Sequence, residues 1–338
     1  MEKVRLPQPI SAGLMLSYQC NAKCRHCMYA CSPRWKEWIS EEELNVLLNK
    51  IASKIKPSPG GKSTVSLNYG LHFTGGEPFL NFDLLLKAVE IAHLLNIPST
   101  FVETNCYWCR DDRVTREKLE ALKESGLEGI LVSVNPFYLE YVPFERTERC
   151  IRVASEVFAQ NTMVYQQEYY YRFKELGIKA KLPVEKYLKL EGTDLARGVE
   201  LFLMGRAPYR LHRFYTKHPP DYFLEEPCIP PLVRNWHNHF DNYGNWLPGY
   251  CGGISLGNWH DLDLLLEQGL DLNNHPVLGF LINQDFKGLL HYARDFSYEE
   301  LKEGYISKCH LCVDIRKYLV TKQEFKELKP KEFYFQLE

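Results

Sequence analysis

Apolar residues recur along this chain in two alternating periods. Ile10 to Ser17 (ISAGLMLS), Tyr69 to Phe73, Ser99 to Thr104 (STFVET) and Gly129 to Val134 are continuous apolar runs of strand length. Between them the apolar spacing becomes helical. Ser40-Glu41-Glu42-Glu43 opens a helix to about Ile55 as a capping box, and Asn81 or Asp83 starts a second that runs to about Leu95. Thr115 to Ser125 reads as a helix stopped by Gly126, followed by helical patterns at Arg146 to Phe158 and Thr162 to Leu176, the latter closed by Gly177. Ile178 to Leu182 is a further strand candidate.

Strands alternating with helices predict an α/β fold on a parallel sheet. Units of about 30 to 40 residues place five or six by about residue 210, short of the roughly 250 residues of a closed eight-unit barrel. A partial barrel over residues 1–215 is therefore expected. Between about 210 and 225 the texture turns to prolines, aromatics and histidines, which predicts a smaller α+β domain over 216–338.

The 338 residues are 45% hydrophobic, 13% aromatic and 25% charged, a globular composition that excludes disorder, collagen and coiled coil. With 41 Lys plus Arg against 43 Asp plus Glu, no basic excess recommends nucleic acid as a partner. No run approaches the roughly 18 apolar residues of a membrane span, and MEKVRLPQP lacks the apolar core of a signal peptide, so a cytoplasmic location and no membrane partner are expected. In a reducing compartment the 11 cysteines point to metal or chemistry before disulfides.

Their tightest group is Cys20-x3-Cys24-x2-Cys27, with Cys31 just beyond, in a loop that follows the first strand. Three thiolates on one loop suit an iron-sulfur cluster and leave one metal position open; a structural zinc site would want four ligands, usually as two separated pairs. The second strand runs into Thr74-Gly75-Gly76-Glu77-Pro78, where paired glycines permit close backbone approach and the glutamate supplies a negative charge for an ammonium group.

The cysteine triplet after the first strand, with His26 before its last cysteine and GGEP after the second strand, resembles the radical S-adenosylmethionine (SAM) superfamily. The resemblance implies a six-unit open barrel. It implies that Cys20, Cys24 and Cys27 hold three irons of a [4Fe-4S] cluster, that the fourth iron chelates the methionine end of SAM, and that Gly75, Gly76 and Glu77 hold the amino group. An electron donor of flavodoxin or ferredoxin type follows, since sulfonium cleavage needs the low end of the roughly −700 to +450 mV range of such clusters. Cleavage would yield a 5'-deoxyadenosyl radical that takes a substrate hydrogen. Thr104 and Asn105 close the third strand, and Ser133 and Asn135 the fourth, as further cofactor contacts. Family members often carry an acid where Asn135 stands. Arg146, Arg149 and Arg152 read as a solvated helix face.

The C-terminal third holds Cys228, Cys251 and Cys309-His310-Leu311-Cys312, which could bind a complete [4Fe-4S] cluster or a zinc ion. His239 to Cys251 resembles the hairpin of twitch and SPASM auxiliary-cluster domains, with six residues between Gly244 and Cys251 where four are usual, and Met204-Gly205-Arg206-Ala207 matches a segment often seen before it. One auxiliary cluster with four protein ligands is the reading. Trp236, His237, His239, Trp246, Trp259 and His260 are expected to pack around it.

Four cysteines remain. Cys106-Tyr-Trp-Cys109 follows the third strand and should face the active site, so Cys106 and Cys109 are candidate catalytic thiols returning a hydrogen atom to a substrate radical. Cys150 lies in a helix pattern and reads as core; a third cluster from Cys31, Cys106, Cys109 and Cys150 is the other possibility. The substrate class preferred by analogy is a peptide or protein, then a small metabolite. The rival function is an iron-sulfur electron carrier without SAM chemistry, against which the Gly-Gly-Glu-Pro segment argues.

Overall fold

Five short strands carry the first unit: β1 (Ser11–Met15), β2 (Gly70–Thr74), β3 (Phe101–Thr104), β4 (Gly129–Ser133) and β5 (Thr162–Tyr165). They are hydrogen-bonded in sequence order and all parallel, with Ala12 opposite Leu71, Phe73 opposite Val102, Val102 opposite Ile130 and Val132 opposite Val164. Every residue of β1 and β2 is buried, as a parallel sheet covered on both faces requires. The structure, a computed structural model, describes residues 3–192 and 201–338. These form two compact units: Pro9–Cys24 with the described part of Cys31–Glu200, and the described part of Met1–Gln8 with Arg25–Ala30 and Leu201–Glu338.

Each strand of the first unit leads into a helix: α1 (Glu41–Ala52), α2 (Phe82–Leu94), α3 (Asp112–Glu124), α4 (Phe144–Phe158) and α5 (Gln167–Glu175). This is an α/β partial barrel. The helices form where local signals and buried stripes agree. Ser40 caps α1 by accepting from the Glu43 amide, and Leu44, Leu47, Leu48 and Ile51 bury one face at roughly 1.5–3 kcal/mol each. Asp111 caps α3 through the Val114 amide. In α4 the buried stripe is Phe144, Thr147, Cys150, Val153, Ala154, Val157 and Phe158.

Two expectations are corrected here. Residues 162–176 do not form one helix: Thr162–Tyr165 is β5, Gln166 breaks the chain in the left-handed region (φ 60°), and the helix begins at Gln167. The β-branched Thr162 and Val164 gain more from pairing with β4 than from a helical turn. Ile178 to Leu182 forms no strand; the Ile178 amide closes the end of α5 on the Phe173 carbonyl, and the Leu182 amide bonds the Leu139 carbonyl ahead of Pro183.

The second unit is α+β. Lys3–Val4 pairs antiparallel with Leu270–Asp271, and Asn238–Asp241 forms a hairpin with Trp246–Leu247. Asp241 closes the hairpin turn by accepting from the Tyr243 and Asn245 amides, and Gly244 supplies its positive φ of 86°. Trp246 and Trp259 are core residues whose indoles donate to Asn238 Oδ1 and the Asp241 carbonyl. Helices Leu262–Gln268, Pro276–Ile282, Phe286–Asp295 and Lys308–Leu319 complete the unit. Among the described residues no helix is long and apolar enough to cross a membrane.

Candidate active site and cysteine centres

The parallel order places the ends of β1 to β4 along one edge, and there the two glycines of the GGEP segment have a defined task. The Gly76 amide donates to the Ser17 carbonyl at 2.8 Å and the Glu77 amide to the Gln19 carbonyl at 2.9 Å. A Cβ on Gly76 would lie 1.9 Å from the Gln19 oxygen, and one on Gly75 2.3 Å from that of Ser17. The close approach that the glycines permit is therefore to the backbone leading into Cys20.

Glu77 is 1% exposed and its carboxylate accepts three bonds within the unit: from the Phe79 amide (3.3 Å) and the Thr104 hydroxyl (2.9 Å) at Oε1, and from the Asn105 amide (2.8 Å) at Oε2. Burial pushes this carboxyl up to about 8, against the pull of those bonds. Thr104 also accepts from the Cys106 amide and the Trp108 indole, both at 3.0 Å, while Trp108 stacks on Phe79 with ring centroids 4.0 Å apart. Asn105 Nδ2 donates to Asn21 Oδ1 at 2.8 Å and to Cys20 Sγ at 3.7 Å, and the Ala22 amide donates to the same sulfur at 3.4 Å. Gly75, Gly76, Glu77, Thr104, Asn105 and Cys20 thus form one connected set. A sulfur that accepts two N–H bonds is held as a thiolate ligand is held, so Cys20 fits an iron-sulfur cluster.

Ser133 ends β4 and is half-buried. Asn135 is 2% exposed; its Oδ1 caps the short helix Pro136–Leu139 through the Phe137 and Tyr138 amides, and its Nδ2 donates to Gln166 Oε1 at 3.0 Å. Gln166, at the end of β5, is a site-edge residue that the helical reading of 162–176 concealed; the β-branched Thr162 and Val164 were its signal.

The triplet's residues are divided between the units, Cys20 and Cys24 in the first and Cys27 in the second. Within the second, the Arg206 amide donates to the Cys27 carbonyl at 3.0 Å, and Gly205 (φ 59°) brings the chain so close that a Cβ would stand 2.3 Å from the Met28 oxygen. The Met204-Gly205-Arg206-Ala207 segment is a cradle for residues 27–28. Desolvation and the Arg206 guanidinium push neighbouring His26 down to about 3, so it is neutral.

Residues 14–165, which hold both the triplet and the GGEP loop, match the family model of the Radical SAM superfamily. This segment of the chain is similar to the radical SAM superfamily. Among curated relatives it is 22% identical over 132 residues to YydG of Bacillus subtilis (strain 168), which is named for peptide biosynthesis, covering 39% of this chain and 38% of that protein. It is 30% identical over 202 residues to GTP 3',8-cyclase of Aquifex aeolicus (strain VF5), covering 57% of this chain and 54% of that one. The chain therefore spans between about two fifths and about half the length of these relatives. Solved structures similar to it include BtrN in complex with AdoMet and 2-DOIA (15% identity, 80% of this chain and 89% of that chain, TM-score 0.41) and anSMEcpe with bound AdoMet (15%, 92% and 96%, TM-score 0.44).

That superfamily uses a [4Fe-4S] cluster and SAM. In the second unit, Cys228, Cys251, Cys309 and Cys312 stand close enough to act on one another's charge. Burial first, and then the neighbouring cysteines, push Cys251 up to about 12 and raise Cys309 as well. Cys309 and Cys312 share a face of the first turn of Lys308–Leu319, and Ser307 caps that helix through the His310 amide. Arg316, one turn on, is buried; its Nη1 donates to the Gly252 carbonyl (2.9 Å) and Tyr334 hydroxyl (3.0 Å), and it hydrogen-bonds Cys312. Its Nε is buried with no acceptor. A buried cation with a spare donor beside four thiols fits a negatively charged thiolate cluster.

Cys106 and Cys109 meet Cys150. The three Sγ atoms lie within 4.8 Å of one another and all three side chains are 0% exposed. Cys31 is elsewhere, its Sγ 3.4 Å from the Gly75 carbonyl. Arg146 and Arg149 leave the solvated face expected of them: Arg149 Nη1 donates to the Cys109 carbonyl at 2.8 Å and Arg146 Nη1 to that of Tyr107 at 2.5 Å.

Proposed function

We propose that this chain is a radical SAM enzyme in which Cys20, Cys24 and Cys27 hold the SAM-binding [4Fe-4S] cluster and Gly75, Gly76, Glu77, Thr104 and Asn105 hold the methionine end of the nucleotide. The observation that carries the reading is the continuous set of bonds from Cys20 Sγ through Asn105 to the Glu77 carboxylate. When bound, the cluster and nucleotide would supply reductive sulfonium cleavage, with the electron from a flavodoxin or ferredoxin type donor, and through it the radical abstraction of a substrate hydrogen. Glu77 would face the methionine amino group, and three donors hold its carboxylate in place beforehand, so little reorganisation is left for binding. Asn105 and the Ala22 amide donate to the Cys20 sulfur and fix its position. Ser133, Asn135 and Gln166 offer polar atoms along the same edge.

Cys228, Cys251, Cys309 and Cys312 hold one auxiliary [4Fe-4S] cluster beside Arg316. With four protein ligands it serves electron relay or domain stability and leaves no iron for substrate. The substrate class we favour is a peptide, which the name of YydG supports; the match to GTP 3',8-cyclase favours a nucleotide as second choice.

Anoxically reconstituted protein given dithionite and SAM should release 5'-deoxyadenosine and methionine and contain about eight irons per chain. Release accelerated by peptides and not by nucleoside triphosphates supports the first substrate class; the reverse pattern replaces it with the second. No release from cluster-loaded protein would leave an electron carrier.

A further inference from the structure

We propose that Cys106, Cys109 and Cys150 hold a single soft divalent ion, zinc by preference, at a site distinct from the two cysteine sets above. The sulfurs converge from two elements: Cys106 and Cys109 bracket the turn after β3, where the Cys109 amide donates to the Cys106 carbonyl at 3.1 Å, and Cys150 comes from the buried stripe of α4. Thiolates bound tetrahedrally at about 2.3 Å stand about 3.8 Å apart, so sulfurs within 4.8 Å need only a small closure around one ion. The corners of a cubane each bind a different iron and stand wider. Among the described residues, the four cysteines of the second unit form no such compact set.

Three further features fit an ion better than plain packing. Buried free cysteines are ordinary as small apolar side chains. Packing does not ask that Cys106 adopt φ 67°, a region costly for any residue with a Cβ. Nor does it ask two guanidiniums to converge on the carbonyls of the same turn, as Arg146 does on Tyr107 and Arg149 on Cys109. The Thr115 side chain hydrogen-bonds Cys109, a further polar contact at the group. Each thiol releases its proton to water as the ion binds, and no oxidant or reductant is needed.

The ion would pin the turn whose Asn105 amide and Thr104 hydroxyl hold Glu77. It assigns Cys106 and Cys109 a positioning role in place of hydrogen-atom donation.

Metal analysis and zinc-edge X-ray absorption of the full chain, purified without oxygen, test this. About one zinc per chain with three sulfur neighbours at about 2.3 Å is expected. Cys150→Ser should lower zinc several-fold with iron unchanged, and Cys309→Ser should lower iron with zinc unchanged. Zinc at trace level in wild-type protein overturns the site, as does zinc without a three-sulfur shell. Zinc insensitive to Cys150→Ser but lost with Cys309→Ser moves the ion to the second unit, and about twelve irons per chain make the group a third cluster. If Cys150→Ser does not fold, the wild-type absorption spectrum alone decides.

Discussion

The Thr104 hydroxyl donates to Glu77 Oε1 at 2.9 Å while accepting from the Cys106 amide and the Trp108 indole, so the last residue of β3 orients the carboxyl that follows β2. Removing one hydrogen bond to a charged group costs about 1.5–3 kcal/mol. Thr104→Val should therefore weaken SAM binding by roughly 10- to 100-fold with the iron content of the reconstituted protein unchanged. Calorimetric titration with SAM checks it, and an unaltered affinity would remove Glu77 orientation from Thr104's duties.

Glu77 also predicts a pH dependence. Its folded value of about 8 lies above the ordinary 4.5, because burial outweighs the bonds of the Asn105 amide, Thr104 and the Phe79 amide, with the charge of Cys150 adding to the rise. The folded state therefore binds the extra proton, and this contribution to stability is full below 4.5 and lost as pH rises to about 8. Melting temperatures of SAM-free wild type should fall relative to Glu77→Gln across that window. An amino N–H held against Glu77 favours the ionised carboxylate, so stabilisation by SAM should grow toward pH 8 in wild type and stay flat in the variant. Parallel curves for the two proteins would contradict this assignment.

Arg316 lies beside Cys312 and Cys251 with its Nε unsatisfied. Loss of a buried cation disfavours the reduced, more negative form of a cluster there. Arg316→Met should lower the midpoint potential of the auxiliary cluster by on the order of 100 mV with iron content retained. Redox titration followed by electron paramagnetic resonance measures it; an unmoved potential would mean that the guanidinium serves packing through Gly252 and Tyr334 only.

Two glycines separate close approach from backbone conformation. Gly76→Ala drives a Cβ to 1.9 Å from the Gln19 oxygen, whereas Gly177, at φ 64°, has open space where its Cβ would stand. Denaturant unfolding should show Gly76→Ala destabilised by about 3 kcal/mol or more and Gly177→Ala by about 1 kcal/mol. Equal losses would show that the GGEP loop can shift away from the Cys20 backbone.

The convergence of these strand-end residues was legible because their positions are written locally. Gly75, Gly76, Glu77 and Asn105 follow a strand within a few residues and Thr104 ends one, and in a parallel sheet all strand ends arrive at one edge. The fifth strand was not legible: Thr162–Tyr165 carries an apolar pattern that a helix could also use, and pairing with β4 decided the matter.

By itself the sequence determined where the cysteine triplet, the glycine pair and the strand-end residues lie, since their spacing depends on neighbours a few residues away. Tertiary structure alone decided that Cys150 of α4 joins Cys106 and Cys109, that Arg149 turns to the Cys109 carbonyl, and that Gly205 and Arg206 hold the Cys27–Met28 backbone. These partners are about 40 to 180 residues apart in the chain, and no local periodicity records a contact that only packing creates.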